Sequence, residues 1–222
     1  ISGFKTDKFI PPMIQPINEG FIVAVPDYTL SLDAPFPQSV IDIKKCIAFL
    51  RSHSDLYKID TNNITLWGES AGAHLALEAG LVENSHFDLA LDTRVKNIIA
   101  MYAPSNLLTI NTQAEKLGIL DTARSDKDTV FGIYMGKNYD DERQMNLASP
   151  IKQINDHMPN IILEHGTKDA LVPYLQSVEF FNKAKEKYPD SHVTLSIYDG
   201  LQHTDPFFFT KEHVHYLMNM LK

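Results

Sequence analysis

Short apolar runs alternate with segments of helical periodicity from residue 21 to the end of the chain. The apolar runs predict β-strands, and they are FIVAVPDY (21–28), ITLWG (64–68), VKNIIAMYAP (95–104), PNIILEHG (159–166) and HVTLSIYDG (192–200). Helical periodicity predicts helices at 38–53 and 70–81 and a last helix near 214–221. This alternation predicts an α/β fold in which a mostly parallel sheet is covered by helices.

The strands differ in how their apolar residues are distributed. The runs at 95–104 and 159–166 are almost continuously apolar, which is typical of strands buried on both faces. The run at 192–200 alternates instead, with Val193, Leu195 and Ile197 on one side. We therefore expect this last strand to lie near an edge of the sheet.

The segment 105–148 interrupts the alternation with polar turns and short apolar pieces. A connection of this length within a compact domain is usually functional. We predict that it is a helical cap insertion over the mouth of the active site; the alternative is a surface excursion without contact to substrate. At 222 residues the whole chain, 1–222, is expected to form a single domain.

Composition narrows the classes of partner. The formal net charge is −8 without a basic cluster, which argues against nucleic acid and anionic membranes and favours a small neutral or apolar molecule. Cys46 is the only cysteine, so an intrachain disulfide and a cysteine-rich zinc site are excluded, and its helical face predicts a buried, inert thiol. No apolar run reaches the roughly 20 residues that a membrane span requires. The sequence implies no metal or organic cofactor, and it is compatible with a homo-oligomer.

The sequence Gly68-Glu69-Ser70-Ala71-Gly72 lies where a predicted strand gives way to a predicted helix. A serine hydroxyl must be lifted out of the sheet before a base can reach it, and a tight strand-to-helix turn does this. We expect that side chains at positions 68 and 72 would clash in such a turn. The turn also places the Ala71 N–H at the start of a helix, where it can donate to an oxyanion. The motif predicts a nucleophilic Ser70.

A base and an orienting acid must come from later loops. In hydrolases with this strand–turn–helix motif the order along the chain is Ser, then Asp or Glu, then His. Asp169 follows the strand at 159–166, and His203 follows the strand at 192–200. Both lie at carboxyl ends of strands, where open α/β sheets bind ligands. These two residues are the predicted acid and base.

Other histidines and acids fit these roles less well. His74 lies one turn into the helix after Ser70, and His165 is expected to be a structural hydrogen-bonding residue at a strand end. Of the other histidines, two lie in the last helix and the rest lie in surface-like contexts, namely His213 and His215, and His53, His86, His157 and His192. Among the acids, Asp199 precedes the turn residue Gly200, and Asp205 is too close in sequence to His203 to orient its ring. Glu69 should hold neighbouring structure.

These motifs together resemble the esterase/lipase branch of the α/β-hydrolase superfamily, including hormone-sensitive-lipase-like esterases and bifunctional acetylxylan and feruloyl esterase-like proteins. The similar segments occur in the family order: DYTLSLDAPFP (27–37), WGESAGAHLAL (67–77), YAPSNLL (102–108), ASPI (148–151), HGTKDALVPYLQS (165–177) and GLQHTDPFFFT (200–210). The resemblance implies a three-layer α/β-hydrolase sandwich and a Ser70–His203–Asp169 triad. The HGTKD segment favours the acetyl and feruloyl esterase-like branch.

One family segment has no counterpart in the chain. These families carry an HGG motif after the third strand that supplies further oxyanion donors, and residues 1–4 resemble the family residues immediately after that motif. We therefore expect an N-terminally truncated fold in which 6–20 forms the first helix. The run at 21–28 should then pair with 64–68 or with another chain, or leave the sheet. Loss of an oxyanion donor would lower turnover by about 10²–10³.

The resemblance implies a serine carboxylesterase that hydrolyses small or medium acyl esters, including acetyl and aryl esters, through an acyl-enzyme. Two alternatives stay open. The chain could be an amide or peptide hydrolase of the same fold, similar to arylformamidases, or a hydrolase-like protein that binds ligands without turnover. Because the first residue is Ile, a targeting segment upstream is compatible with the sequence, and a cytoplasmic location is the favoured expectation.

Overall fold

A computed structural model describes residues 14–119 and 129–221. Its strands are β1 (Thr65–Glu69), β2 (Asn97–Met101), β3 (Asn160–Gly166) and β4 (Val193–Tyr198). The α-helices are α1 (Gln38–Ser52), α2 (Ser54–Tyr57), α3 (Ala71–Leu81), α4 (Ile110–Lys116), α5 (Val130–Met135), α6 (Glu142–Leu147), α7 (Leu175–Lys187) and α8 (Lys211–Met220). Short 3₁₀ turns, among them Gln15–Glu19 and Pro206–Phe209, complete the connections.

The described strands form one parallel sheet in the order β1-β2-β3-β4. Four of the five predicted strands are confirmed, each with narrower bounds than the apolar run. All of β2 is buried, as is β3 after its first residue, whereas β4 lies at the edge as its alternating pattern predicted. Because the strands are parallel, the loops after β1, β3 and β4 emerge at the same end of the sheet.

Helices cover both faces of the sheet. On one face, α3 and α7 pack through Leu77 and Phe180 against Ile98 and Leu163. On the other face, α8 packs against residues of β2 and β3, and the helix predicted from Val214, Leu217 and Met218 is confirmed. The result is the three-layer arrangement of the α/β-hydrolase fold.

The predicted strand at 21–28 is wrong, because this segment is extended but forms no ladder with the sheet. Its ends pack on opposite faces, with Phe21 in the cluster of α8 and Tyr28 in the cluster of α1 and α3. Ile22 and Val25 between them are exposed. An apolar run becomes a strand only where a neighbour accepts and donates its backbone hydrogen bonds, and no described residue offers one here. Of the expected outcomes, departure from the sheet is the one observed.

The N-terminal prediction is tested only in part, because residues 1–13 lie outside the described ranges. In the described remainder, Gln15–Glu19 is a 3₁₀ helix instead of the end of an α-helix. Its Gln15 side chain donates to the backbone oxygen of Phe209, and Glu19 contacts His215. The sequence 6–20 contains three prolines, at positions 11, 12 and 16, and proline lacks the N–H that the interior of a regular helix requires.

The described part of the segment 105–148 contains the helices α4, α5 and α6 joined by turns, and its residues 120–128 lie outside the described ranges. Leu107, Met135 and Met145 pack against Val40 of α1 and Leu75 of α3.

Cys46 on α1 is half-buried, less than predicted, and burial raises the pKa of its thiol. None of the described helices is long and apolar enough to cross a bilayer.

Candidate active site

The turn between β1 and α3 holds Ser70 in an unusual backbone conformation. Its φ of 51° and ψ of −118° lie outside the regions that L-residues prefer. The Ser70 N–H donates to the Met101 carbonyl (2.9 Å), and the Ser70 carbonyl accepts from the His74 N–H (3.0 Å). The turn is therefore fixed at both ends, to the neighbouring strand and to the first turn of α3. Such strain is typical of functional sites.

The two glycines of the motif do different things. A Cβ on Gly68 would lie 2.2 Å from the carbonyl carbon and oxygen of Gly72, so no side chain fits at position 68. A Cβ on Gly72 would meet no atom within 4 Å. The expectation of a clash at both positions is thus wrong for Gly72. The close approach is one-sided, because the Gly68 Cα faces the backbone of Gly72 while the Gly72 Cα faces open space.

The structure brings Ser70, His203 and Asp169 together. The His203 Nε2 lies 3.0 Å from the Ser70 Oγ, and its Nδ1 lies 2.7 Å from the Asp169 Oδ2. The Asp169 side chain is fully buried and that of His203 is 11% exposed. One imidazole therefore links the hydroxyl to the carboxylate, which is the geometry that proton transfer from serine requires.

Asp169 is held by hydrogen-bond donors on both carboxylate oxygens. Its Oδ1 accepts from the N–H groups of Leu171 and Val172, each at 2.8 Å. Its Oδ2 contacts His203 Nδ1 at 2.7 Å and His165 Nε2 at 3.2 Å. Burial alone would raise the pKa of this carboxyl, but the contacts with His165 and His203 outweigh burial and lower it. Asp169 is therefore ionised throughout the neutral range.

The less favoured candidates all have other contacts. Buried His74 lies 3.0 Å from the Pro104 carbonyl, and burial lowers its pKa to about 4. Asp199 accepts from Thr167, and Asp205 accepts from the N–H of Phe207 at the start of a 3₁₀ helix. None of these three contacts involves Ser70 or His203.

Sequence reasoning missed Tyr102, which directly follows β2. It is fully buried with a φ of 42°, and its ring contacts the His203 ring edge-on at 4.7 Å between centroids. Its hydroxyl donates to the Glu69 Oε2 at 2.5 Å. Burial raises the pKa of Glu69, opposed by this hydrogen bond and by His203. The signal available in the sequence was an aromatic residue at the carboxyl end of a buried strand, the end at which the predicted acid and base also lie.

Two further features bear on the chemistry. Ala71 directly follows Ser70 as the first residue of α3, where a backbone N–H has no acceptor within the helix. Across residues 14–119 and 129–221, no group of three or more His, Cys, Asp or Glu side chains is arranged to hold a metal ion.

Comparisons with known proteins place this geometry in context. A family model described as BD-FAE matches residues 3–184. Esterase LipQ of Mycobacterium tuberculosis is 30% identical over 181 residues, which are 79% of this chain and 41% of that protein. A probable isoprenylcysteine α-carbonyl methylesterase, ICMEL1 of Oryza sativa subsp. japonica, is 27% identical and covers 86% of this chain and 45% of its own length. The chain thus spans less than half the length of these curated relatives.

Solved structures give the same fold. A truncated carbohydrate esterase from gut microbiota superimposes with a TM-score of 0.74 at 23% identity, covering 88% of this chain and 71% of that one. Carboxyl esterase 2 of the fungus Tuber melanosporum reaches a TM-score of 0.74 at 14% identity, covering 100% and 72%. At these identities the likeness is one of fold.

Proposed function

The chain belongs to the BD-FAE family, which is esterase-like and has the α/β-hydrolase fold, and on that premise we propose that it is a serine carboxylesterase. Its substrates are small or medium acyl esters, with acetyl and aryl esters of carbohydrates as the favoured class. The named relatives that are esterases, and the carbohydrate esterase among the structural neighbours, support this choice. The observation that carries the proposal is the single imidazole of His203 within hydrogen-bond distance of both Ser70 and Asp169.

The proposed reaction proceeds in two halves. Ser70 Oγ attacks the ester carbonyl carbon while His203 Nε2 takes its proton, and the resulting oxyanion accepts a hydrogen bond from the Ala71 N–H. The tetrahedral intermediate collapses, His203 returns the proton to the leaving alcohol, and an acyl-Ser70 remains. Water then attacks the acyl group with His203 as base, and Ser70 is regenerated with release of the acid. Asp169 fixes the tautomer of His203 and stabilises its charged form.

We also propose that the segment 105–148 caps the site within a single domain spanning 1–222. Support comes from a small cluster in which Ile110 and Ala114 of α4 pack on Val172. Val172 belongs to the loop that donates to Asp169. The segment therefore contacts the part of the molecule that holds the proposed acid.

The experiment compares Ser70→Ala with Ser52→Ala, whose exposed serine on α1 serves as the matched control. Ser70→Ala is expected to abolish hydrolysis of p-nitrophenyl acetate, whereas Ser52→Ala keeps the wild-type rate. A fluorophosphonate probe should label the wild type and Ser52→Ala but not Ser70→Ala, even if turnover is slow. Unchanged hydrolysis or labelling in Ser70→Ala would reject Ser70 as nucleophile.

The same probe and variants separate the two alternatives. A protein that only binds ligands would not be labelled by the probe in any form. An amide hydrolase would be labelled but would cleave a formyl-anilide with a higher kcat/KM than a short acyl ester. The proposal requires the reverse preference.

A further inference from the structure

His165 lies at the end of β3, is completely buried, and makes contacts through both ring nitrogens. Its Nδ1 lies 2.8 Å from the Ser177 Oγ of α7. Its Nε2 lies 3.0 Å from the Val172 carbonyl oxygen and 3.2 Å from the Asp169 Oδ2. The ring therefore bridges a helix, a loop carbonyl and the carboxylate that also contacts His203.

The contacts determine where the proton sits on this ring. A backbone carbonyl oxygen can only accept, and so can an ionised carboxylate. The Nε2 of His165 must therefore carry a hydrogen, which is shared between Val172 and Asp169. The Ser177 hydroxyl can donate to Nδ1, which satisfies the other side of the ring.

We infer that His165 is a positioning residue for the proposed reaction: its Nε2–H fixes the Asp169 oxygen that holds His203. This inference rests on the proposed function. The same Oδ2 accepts from two imidazoles, at 2.7 Å and 3.2 Å. The two backbone donors hold only Oδ1. Without His165, the oxygen that orients the proposed base would keep His203 as its one described partner.

His165 also moderates the charge that His203 experiences. A donor on Oδ2 draws negative charge away from the imidazole, so its removal would stabilise protonated His203. Tyr102 packs edge-on against both imidazoles, and its hydroxyl is bound to Glu69, whose carboxyl is the further titratable group beside His203. Loss of His165 should therefore affect the protonation of the base as well as its orientation.

The variants separate positioning from simple packing. His165→Leu removes both nitrogens, whereas the Nε2 of His165→Gln can still donate toward Asp169. We expect kcat on p-nitrophenyl acetate to fall about 10-fold in His165→Leu, with little change in KM. The acidic limb of its kcat/KM profile should move to higher pH by roughly half a unit. His165→Gln should stay within about 3-fold of the wild type with no such movement.

Ser177→Ala is the structural control, because it removes the partner of Nδ1 and leaves Nε2 in place. It is expected to lower the melting temperature without moving the pH profile. If His165→Leu lowers only the melting temperature, and its kcat and pH profile match the wild type below melting, the positioning role is wrong.

A measurement on the wild-type protein covers the case in which His165→Leu does not fold. Nitrogen-15 NMR of the histidine side chains should show the His165 Nε2 protonated at neutral pH. A tautomer with hydrogen on Nδ1 alone would overturn the inference, because Nε2 could then not donate to Asp169. This result does not depend on turnover, so it is distinguishable from a failure of the esterase proposal, which fluorophosphonate labelling of Ser70 tests.

Discussion

Asp169 and Glu78 are both acidic residues with almost no exposed surface, yet the pKa values of their carboxyl groups are shifted in opposite directions. Asp169 has backbone donors on one oxygen and imidazoles on the other, and its pKa is lowered. Neither carboxylate oxygen of Glu78 has a hydrogen-bond partner among the described residues. Burial raises its pKa well above the usual value, and only the charge of Lys44 opposes this.

The difference comes from where each residue lies on the backbone. Asp169 is in a loop at the carboxyl end of β3, where free N–H groups of the following residues turn toward its side chain. Glu78 is in the middle of α3, where the backbone N–H groups are already used within the helix. Burial alone therefore does not determine the protonation of a carboxyl. The donors that the local backbone can supply decide it, which explains why the proposed acid lies on a loop.

The largest expected effect is on turnover, from Asp169→Asn. The amide oxygen of the new asparagine can accept from the two backbone N–H groups that now bind Oδ1 only if its NH₂ group faces the imidazoles of His203 and His165. An NH₂ group at that place favours a hydrogen on His203 Nε2, so this nitrogen can no longer take the Ser70 proton. We expect kcat to fall about 10⁴-fold, measured as p-nitrophenyl acetate hydrolysis at neutral pH.

Glu78→Gln in the same assay is the matched control, since it makes the equivalent amide change at the other buried acid. It should keep the wild-type kcat. Comparable activity of Asp169→Asn and the wild type would show that the carboxylate does not act on His203, and the contrast between the two acids would lose its functional meaning.

A smaller effect is expected on stability, from Lys44→Met. The Lys44 Nζ is buried and donates to the carbonyl oxygens of Ala79 and Val82, at 2.9 Å and 2.7 Å, at the end of α3. Burial lowers the pKa of Lys44 to about 8, opposed by Glu78. Methionine keeps the apolar stem but leaves both carbonyls without this donor, which costs about 2 kcal/mol of unfolding free energy.

Urea denaturation measures this cost, and Lys45→Met provides the control, because Lys45 is the next residue of α1 and is exposed. The control should change the unfolding free energy by a few tenths of a kcal/mol or less, as is usual for surface substitutions (~0.5). Equal losses in both variants would show that the two carbonyl contacts contribute nothing specific.

The sequence predicted the parts of the fold that repeat locally. Strands β1 to β4, helix α3 and helix α8 follow from apolar runs and periodicity, and the order of Ser70, Asp169 and His203 follows from the loops after those strands. The largest failure concerns a non-local partner. The run at 21–28 has the composition of a strand, but no described neighbour pairs with it.

The electrostatic details also depended on tertiary contacts. Lys44 lies four residues after Val40 and three before Ile47, on the buried face of α1, so its burial was readable from the spacing. The carbonyl oxygens that accept from its Nζ could not be identified from the spacing, because they are 35 and 38 residues away in the chain. The contact of His165 with Asp169 is different, since the two residues are only four apart, but it depends on the loop geometry after β3.

The smallest expected effect is a pH-dependent gain of stability in Glu78→Gln. A carboxyl whose pKa is raised by folding contributes fully below its unfolded value, 4.5 here, and that contribution is lost as pH rises toward the folded value. Glutamine resembles the protonated acid and does not ionise. Its unfolding free energy should match the wild type near pH 4 and exceed it by about 1 kcal/mol near pH 7. The pH dependence from Asp169 runs the other way. Because folding lowers the pKa of Asp169, its contribution to stability is present above the unfolded pKa of 3.8 and is lost as pH falls. Urea denaturation of the wild type and Glu78→Gln at these two pH values measures the difference, and equal unfolding free energies at both would mean that Glu78 has hydrogen-bond donors.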